Sequence, residues 1–281
     1  MSQVIHKLIN KDGKYVQLPP YRAGEAGYGN LAIPSQFTES AIQEYPLGTR
    51  LVVGDRVYRY CKYGAACART VNAAFSVVDM FEADVNTYGA AVAGDTTIEV
   101  DGASAGSPVK DAWAGGYLSV LGSSQTYRTI MQIISNKAAT ATDPYPVELT
   151  LEQPLPFDLG DNVSCTIFPN LYSDVRTMYA IGNGAYYTCV GWPARTISAA
   201  NYYGWVQTWG PCFTNRAAED LSAGGDRDLV VVGDGAVRVV DKMVNAGAAT
   251  GESFQRVGFS LAINIPTAGN GCGWFYMQIA P

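Results

Sequence analysis

The stretch Val147-Glu148-Leu149-Thr150-Leu151-Glu152 alternates apolar and polar side chains over its whole length. Successive residues of a strand point to opposite faces, so Val147, Leu149 and Leu151 belong to a buried face and Glu148, Thr150 and Glu152 to a wet one. The same period runs outward on both sides. Upstream lie Thr97-Ile98-Glu99-Val100, closed by Asp101-Gly102, then Gly116-Tyr117-Leu118-Ser119-Val120 and Tyr127–Ile134. Downstream lie Pro154-Leu155, the turn Gly160-Asp161 and Val163-Ser164-Cys165-Thr166-Ile167. About five strands in some eighty residues predict a small closed β-barrel, placed over residues 92–170.

Flanking this insert, residues 46–91 and 171–281 read as one discontinuous β-domain. Thr49-Arg50-Leu51-Val52-Val53, the pair Gly54-Asp55 and Arg56–Cys61 predict a hairpin or a bulged strand. A similar string, Leu229-Val230-Val231-Val232-Gly233-Asp234 and on to Val240, reads either as common turn chemistry between valine-rich strands or as a second, related hairpin. The last hundred residues carry aromatic strands at Ala185–Val190, Tyr202–Trp209, Gly258–Ile265 and Gly273–Ile279. Residues 1–45 show neither period. Leu18-Pro19-Pro20-Tyr21 and the glycines at 24, 27 and 29 predict an extended N-terminal arm, with a helical turn near Gln36–Glu44 capped by Ser35. The expected class is all-β, a short-strand sandwich or barrel carrying that arm.

The chain has 281 residues, is 48% hydrophobic and only 16% charged, and contains 18 Tyr and 5 Trp, a composition suited to partner surfaces. A net charge of −6 argues against nucleic acid, which is held by clustered Lys and Arg. No apolar run approaches membrane-spanning length, and Met1–Asn10 lacks the basic and apolar regions of a secretory signal. Neither a membrane nor a nucleic acid is an expected partner. The six cysteines, at 61, 67, 165, 189, 212 and 272, are dispersed through a chain large enough not to need staples and are expected to be mostly buried free thiols.

Catalytic arrangements are sparse. A single histidine, His6, excludes His-activated nucleophiles and multi-histidine metal sites. No Cys-x-x-Cys pair occurs, Asp226, Asp228 and Asp234 read as turn residues rather than a calcium loop, and Gly182-Asn183-Gly184 lacks the remaining signature of a dinucleotide site. A carboxylate pair for glycoside hydrolysis is the one enzymatic reading left. No cofactor, metal or catalytic residue is therefore assigned, and the expectation is a protein without enzymatic activity. Alternation over Tyr202–Trp209 puts Tyr203, Trp205, Gln207 and Trp209 on one face, either a core strand or an aromatic contact platform.

Leu47–Tyr60, Asn201–Cys212 and Gly273–Ile279 together resemble virion proteins of tailed bacteriophages, of the head decoration or cementing kind. The resemblance implies a protein assembled in the host cytoplasm that docks on the outer face of a capsid, commonly as a homotrimer, and bridges subunits of the major capsid protein lattice. The alternative is a virion appendage or other carbohydrate-binding protein that stacks glycans on its aromatic strands. Candidate partner-binding residues are Tyr15, Tyr21, Tyr28, Leu31 and Ile33 in the arm, and Tyr203, Trp205 and Trp209. The apolar area of the arm is worth burying, so a neighbouring subunit or the capsid is expected to cover it; the other reading folds the arm back on its own barrel.

Overall fold

The structure, a computed structural model, describes residues 4–5, 7–22, 32–67, 72–76, 82–101, 108–121, 128–139, 146–177, 188–214, 228–231, 237–239, 255–261 and 273–281. Its strands, in chain order, are β1 (Val4–Ile5), β2 (Leu8–Lys11), β3 (Lys14–Gln17), β4 (Tyr21–Arg22), β5 (Arg50–Val53), β6 (Arg56–Lys62) and β7 (Ala74–Ser76). There follow β8 (Glu82–Asn86), β9 (Thr97–Asp101), β10 (Tyr117–Leu121), β11 (Arg128–Asn136), β12 (Pro146–Leu151) and β13 (Ser164–Phe168). The last are β14 (Val175–Thr177), β15 (Thr188–Pro193), β16 (Tyr203–Thr214), β17 (Asp228–Val231), β18 (Val237–Val239), β19 (Arg256–Ser260) and β20 (Gly273–Gln278). Among the described residues there is no helix, and the protein is all-β. The chain forms two compact units.

The first unit comprises Met1–Lys7, Leu18–Gly29 and Val78–Leu171. Strands β1 and β4 pair with each other, and six more form an antiparallel sheet in the order β8-β13-β10-β11-β12-β9. Among the described residues the sheet's end strands meet at one corner, where Thr87 bridges Val100 and the Tyr88 N–H donates to the Glu99 carbonyl at 2.8 Å. The barrel is thus partly closed, not fully closed as expected, because β8 gives way to this corner straight after Asn86. Val147, Leu149 and Leu151 are buried with Leu118, Ile133 and Ile167, as their alternation requires. Thr150 is buried too, a departure from the wet face assigned to it. The segment before β10 is fixed by Asn136, whose side-chain oxygen accepts from Trp113 N–H and whose amide donates to the carbonyls of Val109 and Lys137.

The second unit comprises Leu8–Gln17, Asn30–Val77 and Tyr172–Pro281. Its sheet runs β18-β17-β19-β20-β16-β6-β5-β3-β2, with β15, β7 and β14 branching from β16. Here the arm expected over 1–45 gives way to structure: Leu8–Lys11 and Lys14–Gln17 form a hairpin that adds two strands to the sheet through β5. Asp12 and Gly13 both have positive φ, 53° and 72°, which is the type I′ turn that Asp-Gly favours. The helical turn expected at Gln36–Glu44 is a tight turn instead. Thr38 N–H returns to the Ser35 carbonyl, and Ser40 then enters a bridge with Tyr203 that takes the backbone away from helical pairing. The strands on either side of Gly54-Asp55 form a two-residue hairpin, and β17 pairs antiparallel with β18 in the same sheet.

Strand β16 is the axis of this unit. Its first half pairs with β6 and β15, and its second half with β20. The ladder to β6 slips between Gln207 and Trp209, so Thr208 is an extra residue. Its carbonyl accepts from Ile279 and Ala280, its hydroxyl donates to the Ala280 carbonyl at 2.6 Å, and Gly210 follows with φ of 92°. Among the described residues two clusters pack in the interior: Trp192, Cys212, Leu229, Phe275 and Met277 in one, Cys61, Tyr63, Val190, Ile197 and Val206 in the other.

Candidate docking face

The slip in β16 decides which aromatics face outward. Trp205 is in register with Tyr60 and Gln207 with Tyr58, but Trp209 is in register with Val57. Tyr58 and Val57 are consecutive in β6 and point to opposite sides. Trp209 therefore lies on the face opposite Trp205, and the single aromatic face expected over Tyr203–Trp209 is split in two.

On the inner side, Trp205 is fully buried. Tyr60 stacks on Tyr203 with centroids 6.0 Å apart and lies 5.1 Å from Trp205, while Tyr45 reaches both Tyr60 and Trp205 at 5.3 and 5.6 Å. Burial pushes the hydroxyls of Tyr60, Tyr45 and Tyr203 up from their ordinary range. Tyr203 and Trp205 thus belong to a packed aromatic cluster, and Trp205 is core.

On the outer side, Trp209 begins a row of rings that crosses three strands. Trp209 meets Tyr276 edge-on at 6.1 Å, and Tyr276 stacks on Phe259 at 5.4 Å with planes 10° apart. One step along the same strands, Phe213 packs on its cross-strand partner Trp274, with centroids 3.6 Å apart. Phe213 and Trp274 are 44% and 46% exposed, beside Leu261 at 46%. Tyr276 lies opposite Pro211, so Pro211, Phe213, Trp274 and Tyr276 share one face.

The register carries this face across β16 toward the hairpin. Trp209 pairs with Val57, Val57 with Val52, and Val52 with Tyr15, which is 44% exposed. Tyr15 and Trp209, nearly two hundred positions apart in sequence, stand in one cross-strand row. The next pair along β5 and β6 is Arg50 with Arg59. The exposed part of the row combines Trp, Tyr and Phe, residue types that interfaces favour, and buried Val57 separates it from Tyr15 and the arginines.

The other candidate residues divide. Tyr21 is buried in β4, opposite Ile5, and is not open to a partner. Ile33 is half-buried. Tyr28 and Leu31 lie outside the described residues. Phe213, Phe259, Trp274 and Tyr276 are missing from the sequence-based set because Trp-Phe-Tyr-Met in β20 is apolar on both faces. Alternation there marks two faces without saying which is covered.

Among the described residues no group of three or more His, Cys, Asp and Glu side chains could hold a metal. Cys61, Cys165, Cys189 and Cys212 are free and buried, as expected, Cys67 is buried, and Cys272 lies outside the described residues. Burial pushes the thiols of Cys165, Cys189 and Cys212 up to about 12, which leaves them protonated and unreactive near neutral pH. The outer face offers flat, half-covered aromatic rings. Compared with known protein families, curated proteins and solved structures, the chain matches none.

Proposed function

We propose that this protein is a non-enzymatic structural protein of a tailed-phage virion that docks on the capsid exterior, as a homotrimer, and bridges subunits of the major capsid protein lattice. The observation that carries the reading is the outward aromatic row on β16, β20 and β19. Covering the open halves of Phe213 and Trp274 alone is worth about 2 kcal/mol each at roughly 25 cal/mol per Å². A partner that covers these rings gains it. The composition agrees, with 11% aromatic and 16% charged residues.

Copy number tests the reading. Particles assembled without the protein, incubated with an excess of it and pelleted, should bind a number of chains comparable to the number of capsid subunits. A plateau of only a few chains per particle would favour the appendage reading, in which the same rings stack on sugars. Absence of binding would remove the capsid as partner.

A further inference from the structure

Strand β2 ends its sheet: it pairs with β3 on one side and, among the described residues, with nothing on the other. The two-residue turn at Asp12-Gly13 makes Lys11–Lys14 and Ile9–Val16 the hydrogen-bonded pairs of the hairpin, and the bond from the Leu18 N–H to the Lys7 carbonyl at 3.0 Å continues that phase. The N–H and C=O groups of Leu8 and Asn10 therefore point away from β3, along the open edge. Both residues are exposed, Leu8 by 67%. Such an edge is a template for a further strand unless a bulge or a proline spoils it, and β2 keeps an unbroken register with β3 and contains no proline. Its side chains set what it accepts. On one face Tyr58, Leu51 and Val16 form a buried cross-strand row that ends at Ile9, which is only half-buried. An apolar side chain opposite Ile9 continues that row. Two positions along, Lys11 stands directly opposite Lys14 on the same face, and among the described residues no ion pair engages either. A further cation there is repelled, whereas a carboxylate is attracted by both lysines.

We propose that the open edge of β2 is a strand-addition site for an extended acidic segment of another protein. The segment lies antiparallel to β2, as β3 does, with a carboxylate opposite Lys11 and apolar residues opposite Ile9 and Leu8. Main-chain bonds to Leu8 and Asn10 supply the pairing, and the side chains supply the choice of partner. A second copy presenting the same edge sets no carboxylate opposite Lys11, because the bonding phase brings odd-numbered positions there and the hairpin's carboxylate is at Asp12. The site stands independently of the capsid reading and is tested on the isolated protein.

A fluorescent, end-capped peptide Ser-Glu-Thr-Val-Leu-Thr, whose Glu, Val and Leu fall opposite Lys11, Ile9 and Leu8, is titrated with the full chain by anisotropy, beside the same peptide carrying Lys in place of Glu. The wild type should bind the Glu peptide saturably, one per chain, and at least tenfold more tightly than the Lys peptide. Asn10→Pro removes an N–H that points away from β3, so it should melt within a few degrees of the wild type and bind the Glu peptide at least tenfold more weakly. Lys11→Glu should bind the Lys peptide at least as tightly as the Glu peptide, and it decides the matter if Asn10→Pro melts lower. Wild-type binding of the Glu peptide by a folded Asn10→Pro, an unchanged preference in Lys11→Glu, or no binding by the wild type at about 1 mM would overturn the proposal. So would sedimentation in which wild-type chains pair and Asn10→Pro chains do not, since the edge would then belong to a second copy.

Discussion

Trp205 and Trp274 are both tryptophans on long strands of one sheet, yet they sit in opposite environments. Trp205 is fully buried against Tyr45 and Tyr60, whereas Trp274 is 46% exposed against Phe213. Trp205→Ala should therefore cost about 3–5 kcal/mol in urea unfolding, from lost transfer energy and the cavity left behind. Trp274→Ala should cost under about 1 kcal/mol, since its ring is covered on one side only. Equal losses would mean that the assignment of inner and outer faces is wrong. The sequence shows that both residues belong to strands. It does not show that Trp209 turns away from Trp205, because that depends on Thr208, one extra residue whose carbonyl is taken by Ile279 and Ala280. The partner that stabilises the slip lies some seventy residues away, beyond the reach of any local pattern.

At the scale of elements, glycines with positive φ test the turn and the bulge separately. Gly13 has φ of 72° with open space where a Cβ would sit, so Gly13→Ala should cost about 1 kcal/mol from the backbone alone. Gly210 has φ of 92°, and a Cβ there would meet the Asp55 carbonyl oxygen at 2.5 Å. Gly210→Ala should cost at least twice as much, because main-chain atoms cannot step aside. Melting curves of the two variants compare them directly. The Asp12-Gly13 hairpin is written in the sequence, between Leu8–Lys11 and Lys14–Gln17, by the strongest of short turn signals. The prolines and glycines that follow it draw the eye to an extended arm. The β12 alternation was legible for the opposite reason: nothing near it competes with the period of two.

For the whole molecule, the buried thiols set an alkaline limit. Cys165, Cys189 and Cys212 keep their protons in the folded protein up to about 12, and the same groups in the unfolded chain lose them near the ordinary value of 9.0. Between these values the folded state binds more protons, so stability falls as pH rises, by about 1.4 kcal/mol per unit for each thiol. Below pH 9 their contribution is fully present and flat. Unfolding free energies at pH 8, 9, 10 and 11 should show this break, and Cys189→Ala should flatten the alkaline slope by one thiol's share. The all-β class was legible across the chain, but the way its segments interleave was not. Leu8–Gln17 joins one unit while Met1–Lys7 and Leu18–Gly29 join the other, through pairings between segments far apart in sequence.

Docking is proposed to run through the outward aromatic row. Its most direct test is co-sedimentation of the protein with particles that lack it, comparing the wild type with the double variant Phe213→Ala/Trp274→Ala after both are shown to melt within a few degrees of each other. The wild type should saturate near the copy number of the capsid subunits, and the double variant should bind at least tenfold more weakly. Binding by the double variant at the wild-type level, with the same plateau, would contradict the account.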